Sequence, residues 1–278
     1  MKRKIAFWKL AVHGAIFLYI IFLLFPLLWV VATSFKTTPE IYSGALSILP
    51  KQITFDHYFS VIEGQKLFSS MLNSIIVGVV STVIVILISV PSAYAMVRFT
   101  SKLNNAILSW ILVSQIFPVI LVMIPLYVLL RALGLTDSLT GLTLVYVVWS
   151  LPFVLWIMHG YVKSIPIELE EAAVLDGATR VQVIFKVIMP LLLPAIGAAA
   201  LFSFISAWNE FFFALVLMKS PSLATLQVEL ARYTGMEGQA RTGSLAAASV
   251  IATIPSVVLF VFLRKWLTKG LVSGALKG

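Results

Sequence analysis

A chain of 278 residues that is 60% hydrophobic and only 11% charged excludes an ordinary soluble domain, since globular proteins carry about 25% charged residues and no apolar runs of membrane length. Its mean hydropathy of +1.04 places it in a bilayer, where length is counted in spans of about 20 residues and six spans fit. The net charge of +9 does not imply nucleic acid, because the bases are scattered around apolar segments instead of forming a basic stripe interleaved with aromatics.

The first apolar run, residues 13–33, holds thirteen Leu, Ile, Phe or Val residues, each worth about −0.3 to −0.6 kcal/mol at a span centre. MKRK precedes it and residues 30–32 could pass for a weak cleavage site, but a signal core is only about 7 to 15 residues long, so an uncleaved anchor is expected. Further spans are expected at about 68–97, 103–130, 139–161, 190–218 and 244–267, the longer ones tilting. The expected regions are therefore 1–66 (tail, first span and outer loop), 67–267 (a five-helix transmembrane domain) and 268–278 (a C-terminal tail). With the N-terminus in the cytoplasm, thirteen of the twenty Lys and Arg residues fall inside and seven outside. The positive-inside rule then predicts that both termini and residues 164–189 are cytoplasmic.

Prolines 91, 118, 125, 152 and 194 fall within expected spans, where freed carbonyls are tolerated in a packed bundle or beside water. Ala195, Ala199, Ala200 and Ser203, then Gly243, Ala246, Ala247 and Ser249, let helix backbones approach closely. No cysteine is present, and His13, His57 and His159 have no metal-ligand spacing, so neither a disulfide framework nor a metal centre is expected.

The cytoplasmic stretch 170–190, EEAAVLDGATRVQVIFKVIMP, reads as a helical hairpin. Pro166 suits a first helical turn, and Glu168, Glu170 and Glu171 suit the positive end of the helix dipole. Gly177 can adopt a left-handed conformation and stop that helix, and Thr179 with Gln182 has the spacing of a capping box for a second one. Ala172, Ala173, Leu175 and Val181 are expected to be exposed apolar residues on a docking face.

Glu171 to Gly177 followed by Val187, Met189 and Pro190 resembles the EAA loop, E-A-A-x3-G-x9-I-x-L-P, of integral subunits of bacterial ABC importers. Val187 and Met189 stand where that pattern has Ile and Leu. The resemblance extends to LNSIIVG from Leu72, PSAYAMVRF from Pro91, WNEFFFAL from Trp208 and the C-terminal GLVSGALKG, and is strongest to the smaller permease of maltose-type carbohydrate importers. It implies an all-α integral membrane protein of the type I ABC importer fold, six transmembrane helices with a coupling helix between the fourth and fifth, in the bacterial cytoplasmic (inner) membrane. It implies that Glu171, Ala172, Ala173 and Gly177 couple the chain to an ATPase. It also implies the partners: a second related permease, two ATP-binding subunits and an extracytoplasmic solute-binding protein. No G-x4-G-K-[ST] loop occurs in the chain, so ATP and Mg are expected on the partner ATPase and no cofactor here.

Candidate path residues follow from polar and aromatic groups inside spans. Glu210 is the one acid well inside an expected span, where a charge costs about 2.5–3.5 kcal/mol on insertion scales, so it should face the bundle or water. Ser203, Ser206, Ala207 and Ala214 share its face by helical spacing, and Asn209 neighbours it. Tyr146, Trp149, Phe153 and Trp156 fall on one helical face and could stack a sugar, or could simply pack. Asn73 and Gln115 are expected to bond across helices.

A membrane-embedded enzyme would need an intramembrane dyad that a lone Glu210 does not supply. An ion-coupled secondary transporter would show inverted repeats, which are absent. The expected function is therefore translocation of a sugar or oligosaccharide by a subunit without chemistry of its own, with glycerol phosphate or an amino acid as the alternative cargo.

Overall fold

The computed structural model describes residues 2–44, 47–64, 66–99, 101–235 and 241–275, and every regular element among them is helical. The chain divides into two compact units, residues 1–68 with 229–254, and residues 69–228 with 255–278.

In the first unit, α1 (Lys2–Ser34) presents an apolar stretch, Val12–Ser34, of hydropathy 2.7, and none of its most apolar window is buried within the chain. Lipid or a partner must cover such a surface. α2 (Thr38–Tyr42) and α3 (Asp56–Glu63) follow. Phe35 packs on the start of α3 through ring contacts with Phe55 at 5.4 Å and Tyr58 at 5.2 Å. The Glu40 carboxylate accepts the Lys51 N–H at 3.0 Å, and that backbone bond holds its carboxyl below the usual range. His57 is buried and its Nε2 donates to the Lys36 carbonyl at 3.0 Å. Gly243 lies against this ring, and any Cβ there would overlap it.

The second unit takes in most of α4 (Lys66–Arg98), then α5 (Lys102–Val113), α6 (Val119–Ala132) and α7 (Leu139–Ser164). α8 (Glu168–Leu175) and α9 (Arg180–Gln182) form the hairpin, followed by α10 (Met189–Trp208), α11 (Phe212–Leu217) and the start of α12 (Leu226–Arg232). α13 (Thr242–Ala275) contributes its second half.

Five helices among the described residues are long and apolar enough to cross a membrane, and a sixth span arises if α5 and α6 are taken together. That pair replaces the single span expected over 103–130 with two helices. The two helices meet at an angle of 100°, because Pro118 disfavours helical geometry at Phe117, whose φ is −65° and ψ 127°.

α7 is the most buried span, with 61% of its apolar window inside the structure, and it packs most extensively on α10. Lipid tails are as apolar as leucine, so close van der Waals contact must hold such helices together. Ala195, Ala199 and Ser203 are fully buried along α10, and Ser203 accepts a hydrogen bond from Thr82 of α4 at 3.3 Å. A polar amide adds to this: Asn73 Nδ2 donates to the carbonyls of Ser222 at 2.9 Å and Ala224 at 3.0 Å, the interhelical role expected for it.

Candidate functional site

α7 ends where Ile165 turns extended, and α8 starts at Glu168. Pro166 therefore lies just ahead of the first turn and not inside it; its carbonyl accepts the Leu169 N–H at 3.4 Å. Gly177 has φ +86°. The Ala178 N–H reaches the Ala173 carbonyl at 3.0 Å and the Gly177 N–H reaches Val174 at 3.0 Å. These two bonds are the Schellman closure of a helix C-terminus, which needs a left-handed residue at this position. Thr179 then caps α9: Gln182 Oε1 accepts the Thr179 N–H at 2.8 Å, and Thr179 Oγ1 accepts the Gln182 N–H at 3.4 Å. A π-helical stretch over Val183–Ile188 leads into α10, with Val183 and Ile188 buried.

The root of this hairpin is fixed by a residue that sequence reasoning treated only as a helix-dipole partner. Glu170 is 9% exposed. Its Oε1 lies 2.6 Å from Arg98 Nε, its Oε2 accepts the Tyr94 hydroxyl at 2.7 Å, and Arg98 Nη2 also donates to the Ile165 carbonyl at 2.9 Å. Tyr94 and Arg98 are four residues apart on the last turns of α4, so they share one face. That spacing was the signal in the sequence, but only the fold brings Glu170 to it.

Exposure sorts the coupling residues. Glu171, Ala172 and Gly177 face solvent, and Leu175 is 88% exposed, with Val174, Val181 and Phe185 also exposed. Ala173 departs from the expected exposed face. It is half-buried and packs on the cluster containing Met158, Val162, Ile165, Val183 and Ile188. Only one face of this short helix is seated on the core, and Ala173, with the buried Glu170 one turn before it, lies on that face.

The second group of candidates lies at a helix break. α10 stops at Trp208 and α11 begins at Phe212, so the expected continuous span over 190–218 is interrupted and Glu210 does not continue the stripe of Ser203 and Ser206. Instead its Oε1 accepts the Phe213 N–H at 2.8 Å, and its Oε2 accepts the Ala214 N–H at 3.1 Å and the Tyr146 hydroxyl at 2.8 Å. The carboxylate caps the restarted helix, where free N–H groups and the dipole both favour a negative charge.

Tyr146 is 3% exposed and committed to Glu210. Trp149 is half-buried with its ring edge-on to Phe213 at 5.4 Å, and Phe153 lies 4.1 Å from Phe202. The aromatic row therefore packs helices; in this conformation it is not the open stacking platform that the spacing allowed. Asn209 and Trp156 are exposed. Gln115 Nε2 donates to the Trp149 carbonyl at 3.4 Å. No group of three or more metal-ligating side chains occurs among the described residues.

A family profile described as "Binding-protein-dependent transport system inner membrane component" matches residues 86–273. The sulfoquinovosyl glycerol transport system permease protein of Agrobacterium fabrum is 37% identical over 255 residues, covering 92% of this chain and 89% of the relative. The trehalose transport system permease protein of Mycobacterium tuberculosis is 36% identical over 256 residues, 92% of this chain and 93% of the relative. Among solved structures, a chain of a bacterial ABC transporter involved in the import of the acidic polysaccharide alginate superposes with a TM-score of 0.78 at 26% identity, covering 94% of this chain and 97% of that one.

Proposed function

Because the chain belongs to the family of binding-protein-dependent transport system inner membrane components, we propose that it is the permease subunit of an ATP-binding cassette importer that moves a sugar or oligosaccharide across the cytoplasmic membrane. It is a multi-pass membrane subunit and not itself an enzyme. Relatives named for sugar cargo, similar over nine-tenths of this chain, favour a saccharide over glycerol phosphate or an amino acid. Its partners are a second related permease, two ATP-binding subunits that hold ATP and Mg, and an extracytoplasmic solute-binding protein, with both termini of this chain in the cytoplasm.

The observation that carries this reading is the hairpin. A short helix is bolted at its root by the Arg98, Glu170 and Tyr94 contacts, while its far end presents the bare Leu175 side chain. Leucine that exposed has no reason to remain in water, and a cleft in the ATPase is where it goes. Glu171, Ala172 and Gly177 shape that docking end, and Ala173 holds it against the bundle. Force from the ATPase then passes through a fixed joint into α4 and α7. The break at Asn209 and Glu210 is the place proposed for the sugar path, since discontinuous helices in transporters sit at substrate routes. Asn209 and Trp149 contribute surface there, and Tyr146 positions the Glu210 carboxylate.

The test is Leu175→Asp in the assembled transporter. The chain stays in the membrane, because its spans insert without this loop, while ATPase recovery on affinity purification and sugar uptake both fall at least tenfold. Full ATPase retention with wild-type uptake would remove the coupling assignment.

A further inference from the structure

In the first unit α3 is tied closely to the end of α1. The Thr54 N–H donates to the Phe35 carbonyl at 2.9 Å, the His57 ring donates to the Lys36 carbonyl, and the Tyr58 hydroxyl lies 2.8 Å from Ser34 Oγ. Ser34 is the last residue of the apolar stretch Val12–Ser34, whose 23 residues run for about 34 Å against a hydrocarbon core of about 30 Å. α3 is therefore fixed where that core ends. Around its axis it has three sides. His57 and Val61 are buried against the chain. Asp56, Ser60 and Glu63 are polar and exposed. On the third side Phe55, just ahead of the helix, Phe59 and Ile62 follow at spacings of four and three, so they share an apolar stripe. These three side chains stay 55%, 61% and 45% exposed.

We infer that α3 is an interfacial helix whose Phe55, Phe59 and Ile62 side enters the acyl chains of the adjoining lipid leaflet. Its three sides then face the three media that meet at this point: protein, water and lipid. Magnitude favours lipid over water for the stripe. A helix is about 10–12 Å across with its side chains and the headgroup layer is only about 5–7 Å deep, so a helix tied to Ser34 lies within that layer over much of its width. The same depth is marked by Trp29, whose ring lies 4.7 Å from Lys36 Nζ, because indoles gather at headgroup level. A protein arriving from the water meets the Asp56, Ser60 and Glu63 side, not the apolar one. α3 carries two carboxylates and no Lys or Arg, so its contact is with acyl chains and not with anionic headgroups. The inference requires α1 to cross the bilayer, and depends neither on the cargo nor on which side of the membrane α3 faces.

The experiment keeps the chain in its whole membrane complex, in nanodiscs of phosphatidylcholine with or without bromine on the acyl chains. Since the chain has no cysteine, Phe59→Cys and Glu63→Cys each take a thiol-reactive fluorophore, with the unsubstituted complex as the blank for partner thiols. Brominated lipid should quench the probe at position 59 by about half and leave the one at position 63 nearly unchanged, whereas iodide in the buffer should quench position 63 and spare position 59. Ile62→Cys reads the apolar side a second time and should follow position 59. Replacing part of the lipid with phosphatidylglycerol should not alter the quenching; a marked rise would make α3 a binder of anionic headgroups and overturn the proposal. If iodide quenches positions 59 and 62 while brominated lipid does not, the apolar side stands in water and the proposal fails. If neither quencher reaches positions 59 and 62 while iodide reaches position 63, another subunit covers that side, and lipid contact is again wrong.

Discussion

Glu170 and Glu210 are held in the same unit by different means. At the hairpin root Glu170 meets a guanidinium at 2.6 Å and a phenol at 2.7 Å. At the helix break Glu210 meets a phenol at 2.8 Å and two backbone N–H groups at 2.8 and 3.1 Å. The difference follows position. At the end of α4 a full cation, Arg98, is available to the carboxylate, and the pair's own attraction and its extra hydrogen bonds offset the desolvation of both charges. At the helix break no cation among the described residues is brought to the carboxylate, which is satisfied instead by oriented dipoles that the broken helix supplies at no charge cost. One joint therefore depends on a charge pair, the other on a backbone discontinuity.

The sharpest way to break this contrast is Arg98→Ala. It leaves the Glu170 carboxylate buried beside one phenol, a loss of about 3–5 kcal/mol for a buried pair missing its partner. We expect the hairpin to loosen, with ATP hydrolysis persisting but no longer stimulated by sugar-loaded binding protein. Arg98→Ala/Glu170→Leu should recover much of the stability, since removing both charges is milder than removing one. A double variant no more stable than the single one would show that the pair is not the joint.

Glu210→Ala should rank next. It strips the partner from the buried Tyr146 hydroxyl and uncaps α11, together about 2–4 kcal/mol. Glu210→Gln keeps an acceptor at the cap and should lose less than half of that in thermal unfolding of the purified complex. Equal losses for Ala and Gln would mean that charge, and not capping, is what this site requires.

Gly177→Val tests the hairpin from its other end. A Cβ at Gly177 meets nothing within 4 Å, so the whole cost is backbone strain at φ +86°, about 1–3 kcal/mol for a β-branched residue. The expected result is reduced but measurable ATPase co-purification, smaller in effect than Arg98→Ala.

The smallest expected effect lies outside the spans, at Asp137. Its carboxylate accepts the Ser220 hydroxyl at 2.6 Å and the N–H groups of Lys219 and Ser220 at 2.9 Å each. The Ser220 hydroxyl bond first, then the two backbone bonds, hold the carboxyl below its ordinary 3.8. A carboxyl lowered on folding stabilises the folded form above the ordinary value and loses that contribution as pH falls through the folded one. Thermal unfolding followed from pH 7 downward should steepen below about pH 4. Asp137→Asn should flatten that limb, and an unchanged limb would place the acid sensitivity elsewhere.

Much of the hairpin was legible before any coordinates. Gly177, Thr179 and Gln182 act through bonds spanning five residues or fewer, so their spacing carries their geometry. The spans were legible for the same kind of reason, because an apolar run of membrane length has one stable destination. Local chemistry was misread where two local rules competed. Pro118 fits the rule for a tolerated kink inside a single span, yet at that position it redirects the chain by 100°.

The sequence by itself determined that this chain is a multi-pass helical membrane protein with a capped, acid-led hairpin. Those properties depend on hydropathy and on neighbours a few residues apart. Only the tertiary structure decided that Glu170 is an anchor, that Ala173 turns inward while Leu175 is bare, and that Glu210 closes a helix start against Tyr146. Partners 72 and 64 residues apart in sequence leave no periodic trace. Which of several acids is buried depends on which face the bundle covers, and that is settled by packing between helices, not by any one of them.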